Sequence, residues 1–371
     1  MAKMRAPAID LLVVGGGPAG LATALHAHRA GLEVRVWEPR AGTVDKACGE
    51  GLMPGAVAAL AELGVHPTGH PLLGIHYLGS GRDARADFRA GPGLGVRRTT
   101  LHDALAEAVA ATGIVVEQRR ATDLLQDEHE VVVDDLRARY VVAADGLHSP
   151  LRRRLGLDDR PRGSEREHRR ARHGLRRHFA LAPWSSHVEV HWGRHAEAYV
   201  TPVADDLVGV AVLSSRTATY DEHLADFPAL RARLEGADAV DSVRGAGPLR
   251  QGARRRSAGR VLLVGDAAGY VDALTGEGVA LALAQARAAV EAVVRGDPEH
   301  YERAWVSLTR RYRWLTAGLL LATRPAPLRR ALVPAAKLLP PVFDLAVNAL
   351  ARPVETRPSC LRHDSRTTDA I

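Results

Sequence analysis

Read from its amino end, the chain switches between hydrophobic periods, and each switch marks an element. Ile9 to Val14 is a run apolar at all positions but Asp10, as expected of a strand buried on both faces. Glycines follow, then apolar residues at helical spacing from Ala19 to Ala30, then a second strand within LEVRVWEP that ends at Glu38. Strand, helix and strand in that order predict a βαβ unit with parallel strands. TTLHDALAEAVAAT, at 99–112, places its apolar residues near a 3.6-residue period and predicts an amphipathic helix. RYVVAA at 139–144 and VLLVG at 261–265 read as further buried strands, and VALALAQARAAVEAVV reads as a long helix. Between about 185 and 215 the period falls to two, in HVEVHWG, AYVTPV and DLVGVAVL, which predicts antiparallel strands of a second layer.

From Tyr301 onward the pattern is helical and apolar but broken by Pro325, Pro327, Pro334, Pro340 and Pro341. No run reaches the ~18 uncharged apolar residues that a membrane-spanning helix needs. The tail is expected to cover the core or a substrate cavity, with peripheral membrane contact as the other reading.

The strongest chemical signal is Gly15-Gly16-Gly17-Pro18-Ala19-Gly20, a GxGxxG between the first strand and its helix. Gly15 allows the tight turn, Gly17 lets backbone approach a pyrophosphate, and Gly20 lets the helix pack closely. The helix N-terminus, opened by Pro18 and Ala19, supplies N–H donors to the anion. Glu38, ending the second strand, stands where a carboxylate accepts hydrogen bonds from an adenosine ribose, and Arg40 follows it in the same loop. These features alone do not separate NAD from FAD.

Composition narrows the picture. The 371 residues, 46% hydrophobic and 25% charged, describe a globular chain of more than one domain. The net charge of +7 raises nucleic acid as a partner, but only Lys3, Lys46 and Lys337 are lysines, and the densest run, REHRRARHGLRRH at 166–178, has no interleaved aromatics. That run reads as a solvated face, and nucleic acid is not expected. Cys48 and Cys360 form no CxxC, so a reducing, cytoplasmic setting is expected. The apolar start resembles a signal peptide but is interrupted by Asp10 and the glycines, and is read as strand and turn. The histidines lack ligand spacing such as HExxH, so no metal is expected. His102 is expected to be an exposed or capping histidine.

Two further stretches decide the cofactor. ADGLHSPLRRRLG (144–156) and GRVLLVGDAAGYVDALTGEGVALALAQA (259–286) resemble the second and third fingerprints of FAD-dependent monooxygenases and of the geranylgeranyl reductase-like flavoproteins. With GGGPAG they occur in the family's order. The resemblance implies an α/β fold, a Rossmann-like FAD-binding domain of the glutathione-reductase-like type, with an inserted antiparallel-sheet substrate domain and a C-terminal helical segment. Residues 1–160 and 245–300 are expected to form the discontinuous FAD domain, 161–244 the β-rich insertion, and 301–371 the helical region with a flexible tail.

The same resemblance implies that Asp266 accepts a hydrogen bond from the ribityl chain, that Asp145 braces the loop near the pyrophosphate, and that Arg98 reaches the phosphates or ribityl chain. Gly276 and Gly278 precede the long helix, whose positive end is expected to face the flavin pyrimidine ring. Glu277 lies between them, and the sequence leaves its direction open. KACGEGLMP (46–54) resembles a cysteine-glycine loop that packs beside the isoalloxazine in reductase-like members. Cys48 then has three possible roles: packing and tuning of the ring, direct chemistry, or loop filler. Glu50 is either a proton donor to substrate or a salt-bridged loop residue.

The expected activity is that of a single-component FAD-dependent monooxygenase, using NAD(P)H, bound transiently, and dioxygen on a bulky apolar or aromatic small molecule. The alternative is a flavin-dependent reductase of prenyl or other alkene groups. A redox-inactive nucleotide-binding module is the reading from another class. A halogenase is disfavoured because the tryptophans form no WxWxIP signature. The insertion carries specificity, with Val188, Val190 and Trp192 on one face and His187, Glu189 and His191 on the other.

Overall fold

A computed structural model describes residues 8–159, 171–323 and 325–354. Ile9–Val14, apolar except at Asp10, is the centre of an eight-stranded sheet. It pairs in parallel with Val34–Trp37 on one side and Leu136–Ala143 on the other, and Val261–Leu263 continues the parallel run beyond. Helices Pro18–Arg29 and Gly278–Arg295 pack on this sheet and on each other, burying the alanine-rich faces that allow close contact. The parallel order places the carboxyl ends of Ile9–Val14, Leu136–Ala143 and Val261–Leu263 side by side. Ligands sit outside such strand ends in open α/β sheets.

The second layer is an eight-stranded sheet in which His173–Ala180, Leu207–Ser214, Ala196–Ala204 and His187–Trp192 run antiparallel in that spatial order. Two corrections follow. The sheet is not contained in 161–244, because Gly74–Gly79 and Arg82–Asp87 add to its edge from the amino-terminal half and Arg244–Ala246 from beyond. Nor is it wholly antiparallel, since His187–Trp192 pairs in parallel with Gly74–Gly79. Their mixed exposure, with buried Ile75, Ala84 and Ala86 among polar neighbours, gave too short a pattern to mark them as strands of this sheet.

A small sheet of Gly51–Leu52, Gly93–Gly95 and His70–Leu72 couples the layers. A Cβ on Gly95 would lie 1.7 Å from the Pro202 carbonyl oxygen, so only glycine permits this approach. Helices Pro298–Thr323, Ala326–Leu338 and Pro340–Ala351 close the chain, with Val333, Phe343 and Val347 packed against Ile75 and Trp192. Residues 355–371, including Cys360 and the expected flexible tail, lie outside the described residues, as do 160–170.

Candidate active site

The turn after Ile9–Val14 separates its glycines by function. A Cβ on Gly15 would meet the Ala144 carbonyl oxygen at 2.4 Å, and its φ is 112°; a Cβ on Gly20 would lie 1.8 Å from the Gly15 oxygen. Both positions are closed by protein. Gly17 is extended, and a Cβ there has only Arg98 Nη2, at 3.8 Å, for company. Gly17, Pro18 and Ala19 line a cavity of about 290 Å³, and the helix N-terminus behind them presents its N–H groups toward it.

Gly16 is held from both sides. Its N–H donates to Glu38 Oε2 at 2.8 Å, and its carbonyl faces His102 Nε2 at 3.0 Å. Because a carbonyl only accepts, the Nε2 of His102 carries the hydrogen. His102 is therefore neither exposed nor a cap: it is buried, and burial together with the Arg98 charge pushes its pKa down. The sequence pattern misplaced it because Leu101, Leu105 and Val109 already define a buried face on which one more position could not be counted.

Glu38 accepts four hydrogen bonds, from Gly16 N and from Arg40 N, Nε and Nη2. Burial works against its charge, but these donors outweigh it and hold the carboxyl below the usual range.

At the polar end of the cavity Arg98 is buried and its Nη1 has no partner among the described residues. Lys46 and Asp266 share that end. Burial pushes the Asp266 carboxyl up, against the pull of Lys46, Arg98 and Arg152. Asp145 differs: its Oδ2 accepts the Leu151 N–H at 3.0 Å, and its neighbours Ala144, Gly146 and Leu147 line the cavity. Burial raises its pKa as well.

Arg152 was missed by sequence reasoning. It is fully buried and donates to the carbonyls of Leu147 at 3.1 Å and Ala267 at 3.0 Å, while its Nε meets Asp158 at 2.6 Å. It thus ties the loop at 144–149 to the 3-10 turn Gly265–Ala268. Within an Arg152-Arg153-Arg154 triplet nothing in composition singled it out.

Gly276 (φ 69°), Gly278 and Val279 bring the N-terminus of Gly278–Arg295 to the cavity wall. Glu277 turns away. It is 2% exposed, its Oε2 has no partner among the described residues, and Arg311 lies 3.8 Å from its Oε1. Burial pushes its pKa from 4.5 up to about 7, with Arg311 pulling the other way. Since the folded protein holds this proton more tightly than the unfolded chain, the stabilising protonated form is complete below pH 4.5 and is lost as pH rises to about 7. Glu277→Gln is expected to flatten that slope and to stabilise the protein at pH 8 by on the order of 2 kcal/mol. Denaturant midpoints of both proteins at pH 5 and pH 8 check this; parallel pH dependences would refute it.

The loop at 46–53 joins the cavity to a buried ionic network. Cys48 borders the cavity, and its Sγ accepts the Glu50 N–H at 3.4 Å. Burial first, and the Glu50 charge second, push the thiol pKa up, so the thiolate is suppressed. Glu50, 3% exposed at φ 60°, accepts the Arg98 backbone N–H on Oε1 at 2.8 Å and meets His178 Nε2 on Oε2 at 2.6 Å. His178 Nδ1 in turn lies 2.7 Å from Asp241 Oδ2. Arg176 bridges Asp241 at 2.6 Å and Asp45 at 2.5 Å. Glu50 is therefore a salt-bridged loop residue, and a buried one. The reading of 166–178 as a solvated face fails in part: His173 is exposed, but Arg176 and His178 are buried, since the period-two strand turns them inward onto these carboxylates. Residues 166–170 of that run are outside the described residues.

The other end of the cavity is apolar, walled by Ile75, Tyr77, Phe88, Val188, Val190 and Leu350. Val188 and Val190 thus give the face that meets the cavity. On the opposite face His187 pairs with Asp87 at 2.7 Å and His191 with Glu189 at 3.1 Å.

Comparison with known proteins agrees with this geometry. A family model described as FAD binding domain matches residues 8–295. The chain is 30% identical to a menaquinone reductase of Mycobacterium tuberculosis over 347 residues, covering 81% of this chain and 79% of that one. It is 28% identical to digeranylgeranylglycerophospholipid reductase 1 of Methanothermobacter thermautotrophicus, with 73% of each chain covered. Among solved structures the flavin-dependent halogenase CmlS superposes with a TM-score of 0.74 at 23% identity, covering 84% of this chain and 64% of that one. The residues present fit the group that the family name implies: Gly17 leaves backbone open to an anion, and beside it stands the buried Arg98 guanidinium, whose Nη1 has no partner among the described residues. The chain belongs to the FAD-binding oxidoreductase family.

Proposed function

We propose that the protein is a flavin-dependent reductase that saturates a carbon–carbon double bond of a prenyl chain, on a domain of the glutathione-reductase-like type. The observation that carries this is a single cavity with two characters, a polar end at Gly17 and Arg98 and an apolar end walled by Val188, Val190 and Leu350, separated by the loop of Cys48 and Glu50. Similarity to a menaquinone reductase across four-fifths of both chains supports it. FAD, when bound, supplies the hydride, and NAD(P)H is the proposed external donor.

The protein's own residues bind, orient and protonate. Gly17, Pro18 and Ala19 would form the pyrophosphate cradle, in a turn that Gly15 and Gly20 shape, with the Arg98 guanidinium completing it. Glu38 and Arg40 would hold the ribose end, Asp145 would brace the adjoining loop, Asp266 would hold the ribityl chain, and the helix N-terminus at Gly276 and Gly278 would serve the ring. A Cys48 thiol kept protonated by burial is a proton holder rather than a nucleophile. The Glu50 carboxylate, linked through His178 to partly exposed Asp241, offers a path for proton exchange with water.

The monooxygenase reading draws on the same three fingerprints, and one experiment separates them. Reduced enzyme is incubated with a prenylated quinone under strict anaerobiosis, and again with heavy dioxygen. A product that gains two hydrogens without oxygen is the expected result; turnover that requires dioxygen and a product carrying its label would establish the oxygenase.

A smaller prediction concerns the ribose end. Glu38→Ala is expected to weaken FAD binding by about 1.5–3 kcal/mol, roughly tenfold to a hundredfold, through lost charge-assisted bonds. Arg40→Ala, which leaves the Glu38 to Gly16 bond in place, should cost less than the Glu38 change. Fluorescence titrations measure both, and an unchanged affinity in Glu38→Ala would remove it from the site.

A further inference from the structure

We propose that the three C-terminal helices rest on an anionic lipid bilayer, so that the apolar end of the cavity opens toward the membrane. Among the described residues, eight of the fifteen large apolar side chains that are exposed lie between Val306 and Leu345, which makes them a patch rather than scatter. They fall in stripes. On Pro298–Thr323 the exposed positions Arg310, Trp314, Ala317 and Leu321 are spaced by four, three and four. On Ala326–Leu338 the exposed positions Leu328, Ala331, Ala335 and Leu338 are spaced by three, four and three. Pro340–Ala351 adds Val342 and Leu345. Each stripe is one helical face turned away from the core, and the opposite faces bury Val333, Phe343 and Val347.

The exposures are large for such residues: 76% for Trp314, 72% for Leu338 and 63% for Leu345. No single described helix is long and apolar enough to cross a membrane, and the last two meet at a bend of 102°. A bent pair of short amphipathic helices lies in an interface rather than through it.

Charge selects the partner. From Arg310 to Arg352 the sequence carries eight basic residues and one acidic, Asp344. Some are already engaged, Lys337 with Asp83 and Arg329 with Glu197. Arg310, Arg313 and Arg330 are exposed beside the apolar stripes. Leucines rimmed by arginines match acyl chains beneath anionic headgroups. The patch is also continuous with the cavity, because Pro340–Ala351 lines it with Val347 and Leu350 while exposing Val342 and Leu345 on its other side. A substrate dissolved in the bilayer would then reach the cavity without crossing water.

The test uses the full chain with FAD and vesicles of phosphatidylcholine, alone or mixed equally with phosphatidylglycerol. Flotation is expected with the mixed vesicles, weakened by added salt, together with a blue shift of tryptophan emission that Trp314→Phe removes. The double variant Leu338→Glu, Leu345→Glu changes only exposed positions and should keep its FAD and its melting temperature. Its vesicle binding should fall by about tenfold or more. Absence of flotation with the mixed vesicles would overturn the proposal. So would a concentration-dependent dimer that the double variant abolishes, since a second copy would then cover this face.

Discussion

Gly17→Val is expected to abolish FAD binding while leaving the apoprotein's melting temperature within about 2 °C of the parent. The expectation rests on a contrast inside one turn. Gly17 has extended backbone that any residue adopts, and the nearest atom to an added Cβ is the end of a flexible arginine at 3.8 Å. The protein itself has no objection to a side chain there; the space that valine would fill is the space a pyrophosphate needs. Gly20→Val is the control in the opposite sense, because its Cβ would lie 1.8 Å from a backbone oxygen. That variant should lose roughly 3 kcal/mol or more, or fail to fold. Flavin retained through gel filtration, together with the melting temperature of the flavin-free protein, separates the two effects. A Gly17→Val protein that stays yellow would remove the turn from the phosphate site.

This contrast also marks how far sequence reasoning reaches. The βαβ start was legible because Ile9–Val14 is apolar at every position but Asp10 and the glycines that follow obey a spacing set by backbone geometry. The boundary of the second sheet was less legible. Arg82–Asp87 is an edge strand with polar residues on one side, and Gly74–Gly79 beside it pairs with His187–Trp192 across more than a hundred residues. Strand pairing of that kind leaves no local trace. The buried charges were hidden for a related reason. Arg152, Arg176 and His178 sit among other basic residues, and only the three-dimensional placement of Asp45, Glu50, Asp158 and Asp241 distinguishes the ones that are neutralised inside. Glu277 shows the same principle in reverse, since a carboxylate between two site glycines can point either way and its buried position beside Arg311 is a tertiary fact.

Glu50 gives the second large expected effect, and two substitutions there separate structure from chemistry. Glu50→Ala removes the acceptor for the Arg98 N–H and the carboxylate facing His178 and Arg176, all of them buried. Breaking a buried ionic network by deleting one partner costs about 3–5 kcal/mol. The alanine variant should therefore melt early and lose the order of the loop that carries Cys48. Glu50→Gln keeps the side-chain volume and a carbonyl oxygen for Arg98, so its cost should be smaller, about 1–2 kcal/mol, and FAD should still bind. What glutamine cannot do is carry a proton between the cavity and His178. If the Glu50, His178 and Asp241 series moves protons to the reacting carbon, Glu50→Gln should lower turnover of a prenylated substrate by about a hundredfold or more while FAD affinity changes little. His178→Gln should show the same loss, because it interrupts the series one step further from the cavity. Melting temperature, FAD affinity and turnover measured on all three variants decide the matter. Full turnover in a folded Glu50→Gln enzyme would leave Glu50 as the residue that fastens the Cys48 loop to Arg98, with the proton coming from elsewhere.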